Sequence, residues 1–288
     1  MKRFRAGVLL AGILFTGAVL AAGPLESYEK SAPLEDTKES DVRINLGLAR
    51  IDLLAGDKDE LISISGEYNP VDSDPRLQVD RRGDRTVVTF KNQNDRRSYR
   101  HGNRNRDFKN EDRYRIRLST IPLTDLSVDV GFGEYELNLD RLRLDNIELN
   151  SGFSEMRVSL DSPNKERASR VSIKSGLGEL KTDHFGFLYF DRLKVEGGLG
   201  DLKLDLRGFE GDGVVDLNIG LGSCHITVPE DVDVRIYYSG NFLSSIDLNG
   251  FNKVSRTEYE SKGFGNSKST LEIDASVGMG NLTVERRR

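Results

Sequence analysis

A tripeptide of glycine, a bulky residue and a small residue recurs along the chain, and this repeat restricts the possible folds more than any other feature. Gly131-Phe132-Gly133 is one copy, and it is followed by four more at similar intervals. From the copy at Gly131 to the copy at Gly220, the first glycines are 21, 24, 22 and 22 residues apart. A repeat of nearly constant length indicates stacked structural units. The first glycines of all copies are Gly47, Gly131, Gly152, Gly176, Gly198, Gly220 and Gly278.

Apolar residues alternate with polar ones on both sides of each tripeptide, as they do in β-strands with one buried face. Leu126, Val128 and Val130 share one parity, whereas Tyr135 and the apolar residues after it share the other. The change of parity predicts a corner, at which glycine supplies a positive φ or allows a close approach. We expect the bulky residue of each corner to stay inside. The predicted fold is all-β, a parallel β-solenoid of about 22-residue turns with two or three strands per turn.

The composition agrees with a narrow β-solenoid. Hydrophobic residues make up 36% of the chain and charged residues 31%, with 29 Gly, 7 Pro and no Trp. A solenoid interior needs only one inward residue in two, so it closes with fewer apolar residues than a broad globular core. A helical apolar period is absent after the first two dozen residues.

The N-terminus has the pattern of a secretory signal peptide. Lys2, Arg3 and Arg5 precede an apolar stretch that runs to Ala22. We expect residues 1–22 to be a signal, cleaved near Ala21 or Ala22, with an uncleaved membrane anchor as the alternative. The protein is then exported, to the periplasm, the cell surface or the medium. Residues 23–40 are predicted to be a polar leader, and residues 41–288 to form the solenoid domain.

A charged insertion at about 91–113 interrupts the repeat. We consider a solvated, partly disordered insertion the simpler interpretation. Binding of an anionic polymer is the functional alternative, because clustered guanidinium groups pair well with phosphate or carboxylate. Nucleic acid is not an expected partner, since the chain has a net charge of −5 and no recognisable nucleic-acid motif. The candidate anion-binding residues are Arg96, Arg97, Arg100, Arg104, Arg106 and Lys109.

The residues that most often carry catalysis are few and are not arranged as a site. The three histidines, His101, His184 and His225, lack the spacing of metal ligands, so neither a metal nor a cofactor is expected. Cys224 is the only cysteine, which excludes an intramolecular disulfide. It adjoins His225, but neighbours in a strand point to opposite faces, and Cys224 has the inward parity of a buried thiol.

Carboxylates leave one enzymatic alternative open, a polysaccharide lyase or hydrolase built on a β-helix. Such an enzyme needs two particular carboxyl groups in different environments. In this sequence acidic residues recur in every turn, as expected for solvated outer faces, and no pair is singled out. The candidates are Asp129, Glu134, Glu136, Asp140, Asp145, Glu148, Glu179, Asp183, Asp201, Asp205, Asp212 and Asp216.

The C-terminal part resembles a known domain family. Residues 222–236 match the stretch G-x-x-x-I-x-V-P-x-x-V-x-V-x-I of toastrack-type domains, and residues 244–248, 250–251, 259–261 and 271–284 follow in the order of that family. Toastrack-type domains include the extracytoplasmic C-terminal domain of LiaF-like envelope stress proteins and the proposed head domains of auto-transporter adhesins. With the upstream turns, the resemblance extends from about Val42 to Val284.

The resemblance implies a non-catalytic β-solenoid exposed in the cell envelope, which binds an unknown envelope protein or polymer and contacts the membrane only through an uncleaved signal. It supplies no catalytic residue. Residues 229–275 lengthen one repeat, because the glycines Gly220 and Gly278 are 58 residues apart. We expect this extension to cap the open end of the solenoid, with a functional flap as the alternative.

Overall fold

The computed structural model describes residues 25–92 and 111–288. Within these ranges the chain forms 16 strands and a short 3-10 helix, Phe185–Leu188, so the prediction of an all-β protein is confirmed. The predicted signal peptide and the arginine-rich segment lie outside the described residues. Among the residues that are described, no helix is both long enough and apolar enough to cross a membrane.

Seven long strands form the centre of the molecule and pair side by side in parallel. Equivalent positions of successive repeats are direct neighbours: Phe132 pairs with Phe153, and Phe153 pairs with Leu177. The repeat length read from the glycines is therefore the length of chain between stacked strands. In spatial order the seven strands are β2 (Glu39–Ala55), β7 (Pro122–Asn138), β8 (Arg143–Ser159), β9 (Arg170–Asp183), β10 (Arg192–Asp205), β11 (Asp212–Pro229) and β16 (Thr270–Arg287).

The N-terminal end of the stack adds antiparallel strands, so the sheet is mixed rather than parallel throughout. β5 (Arg85–Asn92) and β6 (Asp112–Leu118) pair in parallel with the two halves of β2. The strands beyond them pair antiparallel. For the strand next to β5 the reason is the tight turn at Gly83 (φ 66°), because so short a connection joins only antiparallel neighbours. These strands are β4 (Pro75–Arg82) on β5, β3 (Glu60–Tyr68) on β6, and β1 (Glu26–Pro33) on β3.

Residues 23–40 were expected to be a polar leader, and for the described part of this segment that expectation is wrong. β1 pairs with the whole of β3, and the side chains of Tyr28 and Ala32 are buried. Tyr28 packs edge-on against Tyr114, with ring centroids 6.1 Å apart. The segment has few apolar residues because only one side of this edge strand faces the core.

The long C-terminal repeat contains four further strands. β12 (Asp233–Gly240) and β13 (Ser244–Asn249) pair in parallel with the two halves of β16. β15 (Glu258–Ser261) then pairs antiparallel with β12, and β14 (Phe251–Lys253) pairs antiparallel with β15.

The core lies between the two halves of each long strand and is closed on its third side by the connecting segments. In β7 the buried residues before the corner are Leu123, Leu126, Val128 and Val130, and those after it are Tyr135 and Leu137. Large aromatic side chains from the connections complete the core: Phe185, Phe190 and Phe209 are fully buried.

The expectation that the bulky corner residue lies inside is wrong. Phe132 and Phe153 are 53% and 56% exposed, and Leu177, Leu199, Leu221 and Met279 are 39–46% exposed. Leu48 is half-buried. We call one long strand and the segment that leads to the next a coil. The corner has no room for the bulky side chains on the inside, since the glycine backbones of adjacent coils are in close contact. A Cβ atom on Gly220 would lie only 2.6 Å from the carbonyl oxygen of Gly198. The bulky side chain therefore points to solvent.

Candidate functional site

The outward corner residues stack into a continuous apolar strip, which we call the apolar ridge. Each member pairs in register with the next, and Phe132 and Phe153 have ring centroids 6.3 Å apart. With strands about 4.8 Å apart, six steps make a ridge roughly 30 Å long. The apolar ridge consists of Leu48, Phe132, Phe153, Leu177, Leu199, Leu221 and Met279.

The ridge continues at the C-terminal end of the stack. Leu243 follows Met279, because the backbone N–H of Gly280 donates to the carbonyl oxygen of Leu243 at 3.1 Å. Leu243 is 47% exposed and the adjacent Phe242 is 94% exposed. Half-exposed side chains of this size together supply on the order of 500 Å² of apolar surface, and contiguous patches of several hundred Å² are often functional.

A shallow, open groove runs beside the ridge across five strands, from β8 to β11 and on to β16. Its volume is about 560 Å³, and the corner glycines Gly176, Gly198 and Gly220 line it together with Ser151 and Ser175. A small cavity of about 10 Å³ adjoins the groove at Ser175 and Gly198, and it is lined by the buried Leu180 and Leu202 as well as by Leu199 and Leu221. The ridge residues Leu177, Leu199 and Leu221 directly follow the groove glycines Gly176, Gly198 and Gly220 in the chain. Groove and ridge are therefore contiguous.

The groove also has a row of polar side chains, one from each of three successive coils: Lys174, Glu196 and Asn218. The ammonium of Lys174 lies 3.9 Å from the Glu196 carboxylate, and Lys194 donates to the same carboxylate at 2.6 Å. The hydrogen bond from Lys194 lowers the pKa of Glu196, so this carboxylate is ionised at neutral pH. The row presents a cation, an anion and an amide in sequence.

A cluster of Asp183, His184 and Asp205 lies away from the ridge, near the 3-10 helix. The nearest ligand atoms lie within 4.8 Å of one another. The guanidinium of Arg207 is 2.6 Å from Asp205 and 3.7 Å from Asp183, so both carboxylates are paired with the same cation. Burial alone would raise the pKa of Asp205, but hydrogen bonds from Arg207 and from the backbone N–H of His184 outweigh it and lower the pKa. We interpret this cluster as a structural ion-pair network.

Cys224 is buried, as its parity predicts, and burial raises the pKa of its thiol to about 12. His225 points to the opposite face, where its Nε2 lies 2.8 Å from the Oε1 of Glu285. The two side chains therefore do not form a nucleophile and base, and the thiol stays protonated at neutral pH.

Asp112 is a buried carboxylate whose pKa is raised, as a catalytic acid's would be, yet its oxygens are saturated by structural donors. Oδ1 accepts from the backbone N–H of Asn69 at 2.9 Å. Oδ2 accepts from the Ser73 hydroxyl and the Asn92 amide, each at 2.6 Å, and from the Tyr114 hydroxyl at 3.2 Å. Burial raises the pKa and these hydrogen bonds oppose it. Asp112 ties the connection after β3 to β6.

The candidate carboxylates of the enzymatic alternative are spread along the outer faces, and several are in ion pairs. Glu134 pairs with Arg50 at 2.7 Å, and Glu179 pairs with Lys203 at 3.1 Å. Such exposed pairs contribute little to stability.

The predicted anion-binding residues Arg96, Arg97, Arg100, Arg104, Arg106 and Lys109 lie outside the described residues. Their role stays a prediction. In chain order they connect β5 to β6, which pair with β2 before and after Gly47 and Leu48.

The corners were predicted from the glycines, but neither the ridge nor the groove was predicted from the sequence. The signal for the ridge is present in the sequence, since every copy has Leu, Phe or Met between the small residues. The alternation rule assigned those residues to the inside, because it assumes an extended backbone and does not hold through a corner.

A family model described as the N-terminal domain of toast_rack, DUF2154, matches residues 21–183. No curated protein matches the chain. Solved structures that resemble this chain include a proposed cell adhesion protein of Clostridium sporogenes, which is 14% identical to it. The match covers 92% of this chain and 100% of the other, with a TM-score of 0.40. A proposed adhesin of Bacteroides fragilis is 12% identical, with 91% and 97% covered and a TM-score of 0.42. A proposed lipid-binding protein of Parabacteroides distasonis is 14% identical, with 91% and 97% covered and a TM-score of 0.30.

Proposed function

The chain belongs to the family of the toast_rack N-terminal domain, and from that premise we propose that it is a non-catalytic, adhesin-like binding protein of the cell envelope. Its contact surface is the apolar ridge. An adhesin-like role is also the one proposed for two of the structural neighbours.

The exposure of the ridge is the observation that supports this proposal. Inward residues already fill the core, so the corner positions do not need apolar side chains for burial. A polar residue there would cost little, because surface substitutions usually change stability by less than about 0.5 kcal/mol. Six copies nevertheless expose Phe, Leu or Met at positions that pair in register. A surface that contacts another molecule accounts for this choice.

Export to the envelope is part of the proposal, and it is supported by the signal-like sequence of residues 1–22. Two alternatives stay open. One is a polysaccharide-active enzyme, which purified protein would reveal by turnover of common polysaccharides. The other is binding of anionic envelope polymers through the arginine-rich segment.

The test is a pull-down from native envelope with the purified chain as bait. A ridge variant, Phe153→Ser/Leu177→Ser/Leu199→Ser, is compared with a matched variant at exposed apolar residues outside the ridge, Val71→Ser/Val254→Ser. We expect the ridge variant to retain at least tenfold less partner than the unmodified chain, and the matched variant to retain the same amount. Thermal unfolding of both variants checks that they are folded.

A folded ridge variant that retains every partner would overturn the proposal. A form without residues 95–110 is included as a further bait. If that deletion abolishes retention while the ridge variant does not, binding belongs to the arginine-rich segment instead.

A further inference from the structure

The groove beside the apolar ridge has the properties of a binding site for an extended chain. It is open at the surface, it crosses strands β8 to β11 and β16, and its volume is about 560 Å³. Its direction is across the strands, so every step along it meets the next coil with the same backbone geometry. A ligand with a repeating structure can make equivalent contacts at each step.

The ligand cannot be a peptide that adds to the sheet as another strand. β9 is paired on both sides, by β8 and β10, and β10 is paired by β9 and β11. Their backbone N–H and C=O groups are already used in the ladder, whereas strand addition needs a free edge. Recognition in the groove therefore depends on side chains and on shape.

The side chains of the groove favour an uncharged, hydroxyl-rich ligand. Lys174 offers donors, Glu196 offers acceptors and Asn218 offers both, one from each coil. Among the residues that line the groove, the charged side chains are Lys174 and Glu196, 3.9 Å apart, so the lining has no net charge that favours a polyanion or a polycation. Lys194, which also donates to Glu196, is not part of the lining. Hydroxyl groups, which both donate and accept, complement this row.

The other side of the groove is apolar. The groove is bordered there by the exposed ridge leucines Leu177, Leu199 and Leu221, each of which directly follows a glycine that lines the groove. Sugar rings have apolar C–H faces and polar hydroxyl edges, which match an apolar side and a polar side. The coil spacing of about 4.8 Å is also close to the length of one ring in an extended glycan.

We propose that this groove binds a neutral glycan chain that lies across the coils between the Lys174-Glu196-Asn218 row and the apolar ridge. This inference rests on the proposed function, because it names the chemistry of an envelope partner. The ridge supplies apolar contact with the rings, and the polar row fixes their hydroxyl groups.

The experiment is calorimetric titration of the purified chain with four hexasaccharides of different charge. Cellohexaose and chitohexaose are neutral, hexagalacturonate is anionic, and the hexamer of glucosamine is cationic. We expect at least one neutral hexamer to bind, and to bind at least tenfold more tightly than either charged one.

A groove-blocking variant, Asn218→Trp, is compared with Asn252→Trp, which places the same exposed substitution outside the groove. We expect Asn218→Trp to weaken binding at least tenfold and Asn252→Trp to leave it unchanged. Failure of both neutral hexamers to bind overturns the glycan assignment, as does binding that Asn218→Trp leaves intact.

The envelope pull-down separates failure of this inference from failure of the proposed function. If the ridge variant loses its partner but Asn218→Trp retains it, the ridge binds a protein or another surface, and only the glycan assignment falls. If the ridge variant retains every partner, the proposed function falls as well.

Discussion

Five of the seven corners have glycine at both the first and the third position, and the two glycines meet different physical demands; Ala49 and Ser154 take the third position in the other two corners. At the first position, the backbone of one coil lies so close to the next that a side chain would collide with a carbonyl oxygen. At the third position, the backbone also adopts a positive φ, 139° in Gly200 and 142° in Gly222. L-residues rarely adopt this conformation, and sparsely populated conformations cost about 1–3 kcal/mol each.

Replacing Gly200 by alanine should therefore strongly destabilise the folded protein. Its Cβ would lie well inside contact distance of the carbonyl oxygen of Gly178, in addition to the strained φ. We expect Gly200→Ala to lower the free energy of unfolding in urea by about 3 kcal/mol or more.

Gly197→Ala, three residues earlier, is the matched control. Its Cβ would be 3.0 Å from the Cδ1 of Ile219, a flexible side-chain end that can move. We expect it to cost less than about 1 kcal/mol. If the two variants lost the same free energy of unfolding, a collision with backbone would be no worse than a contact with a flexible side chain, which would contradict this explanation.

Sequence patterning predicts the fold at this scale better than it predicts the surface. The positions of the corners follow from the glycine period, because only glycine allows the coils to approach so closely. The direction of Phe132 does not follow, since alternation would place it with Val128 and Val130, which are buried. Whether a corner side chain points in or out depends on contacts between coils, which a single sequence does not contain.

At the scale of elements, the two ends of the parallel stack are finished by antiparallel strands. At the C-terminal end, β15 covers the edge of β12. Arg235 of β12 pairs with Glu260 at 2.7 Å, and the buried Ser261 hydroxyl accepts from the backbone N–H of Val234 at 3.1 Å. An uncovered edge of this kind is a template for association with other chains.

Excision of residues 251–261, which contain β14 and β15, tests the capping role. The chain ends left by the excision are already neighbours, because the N–H of Lys262 donates to the carbonyl oxygen of Gly250 at 2.9 Å. We expect the excised form to associate through the exposed β12 edge, with a concentration-dependent increase in mass by light scattering. A form that stays as monodisperse as the full chain at every concentration would show that β15 is not a cap.

The sequence predicted an extension at residues 229–275 but not its construction. The extension was predicted because Gly220 and Gly278 are 58 residues apart, more than twice the usual interval of about 22. β12 and β13 do form another parallel layer, with Gly240 and Asn241 at their corner. β15 returns antiparallel to β14 through the short turn after Lys253, in which the N–H of Val254 donates to the carbonyl oxygen of Glu258 at 2.9 Å. Such local turns carry no repeat signal.

At the scale of the whole molecule, the stacked coils combine a set of single exposed residues into one long surface. An isolated corner would expose one leucine or phenylalanine, as most protein surfaces do. Stacking in register aligns these residues into the ridge and places the groove beside it. The proposed binding function is thus a property of the register between coils.

The most direct test of this account is disulfide formation between ridge positions. In a Cys224→Ala background, Leu177→Cys/Leu199→Cys places two exposed thiols on adjacent coils in direct register. Paired strands lie about 4.8 Å apart, within the Cα separation that a disulfide spans. Leu177→Cys/Leu221→Cys places the thiols two coils apart, at about 10 Å, which is too far.

We predict that mild oxidation of the folded protein produces a fast intramolecular disulfide in the adjacent pair and none in the distant pair, as read by mass spectrometry. Failure of the adjacent pair to form the bond, or equal rates for both pairs, would contradict the in-register, outward-facing ridge.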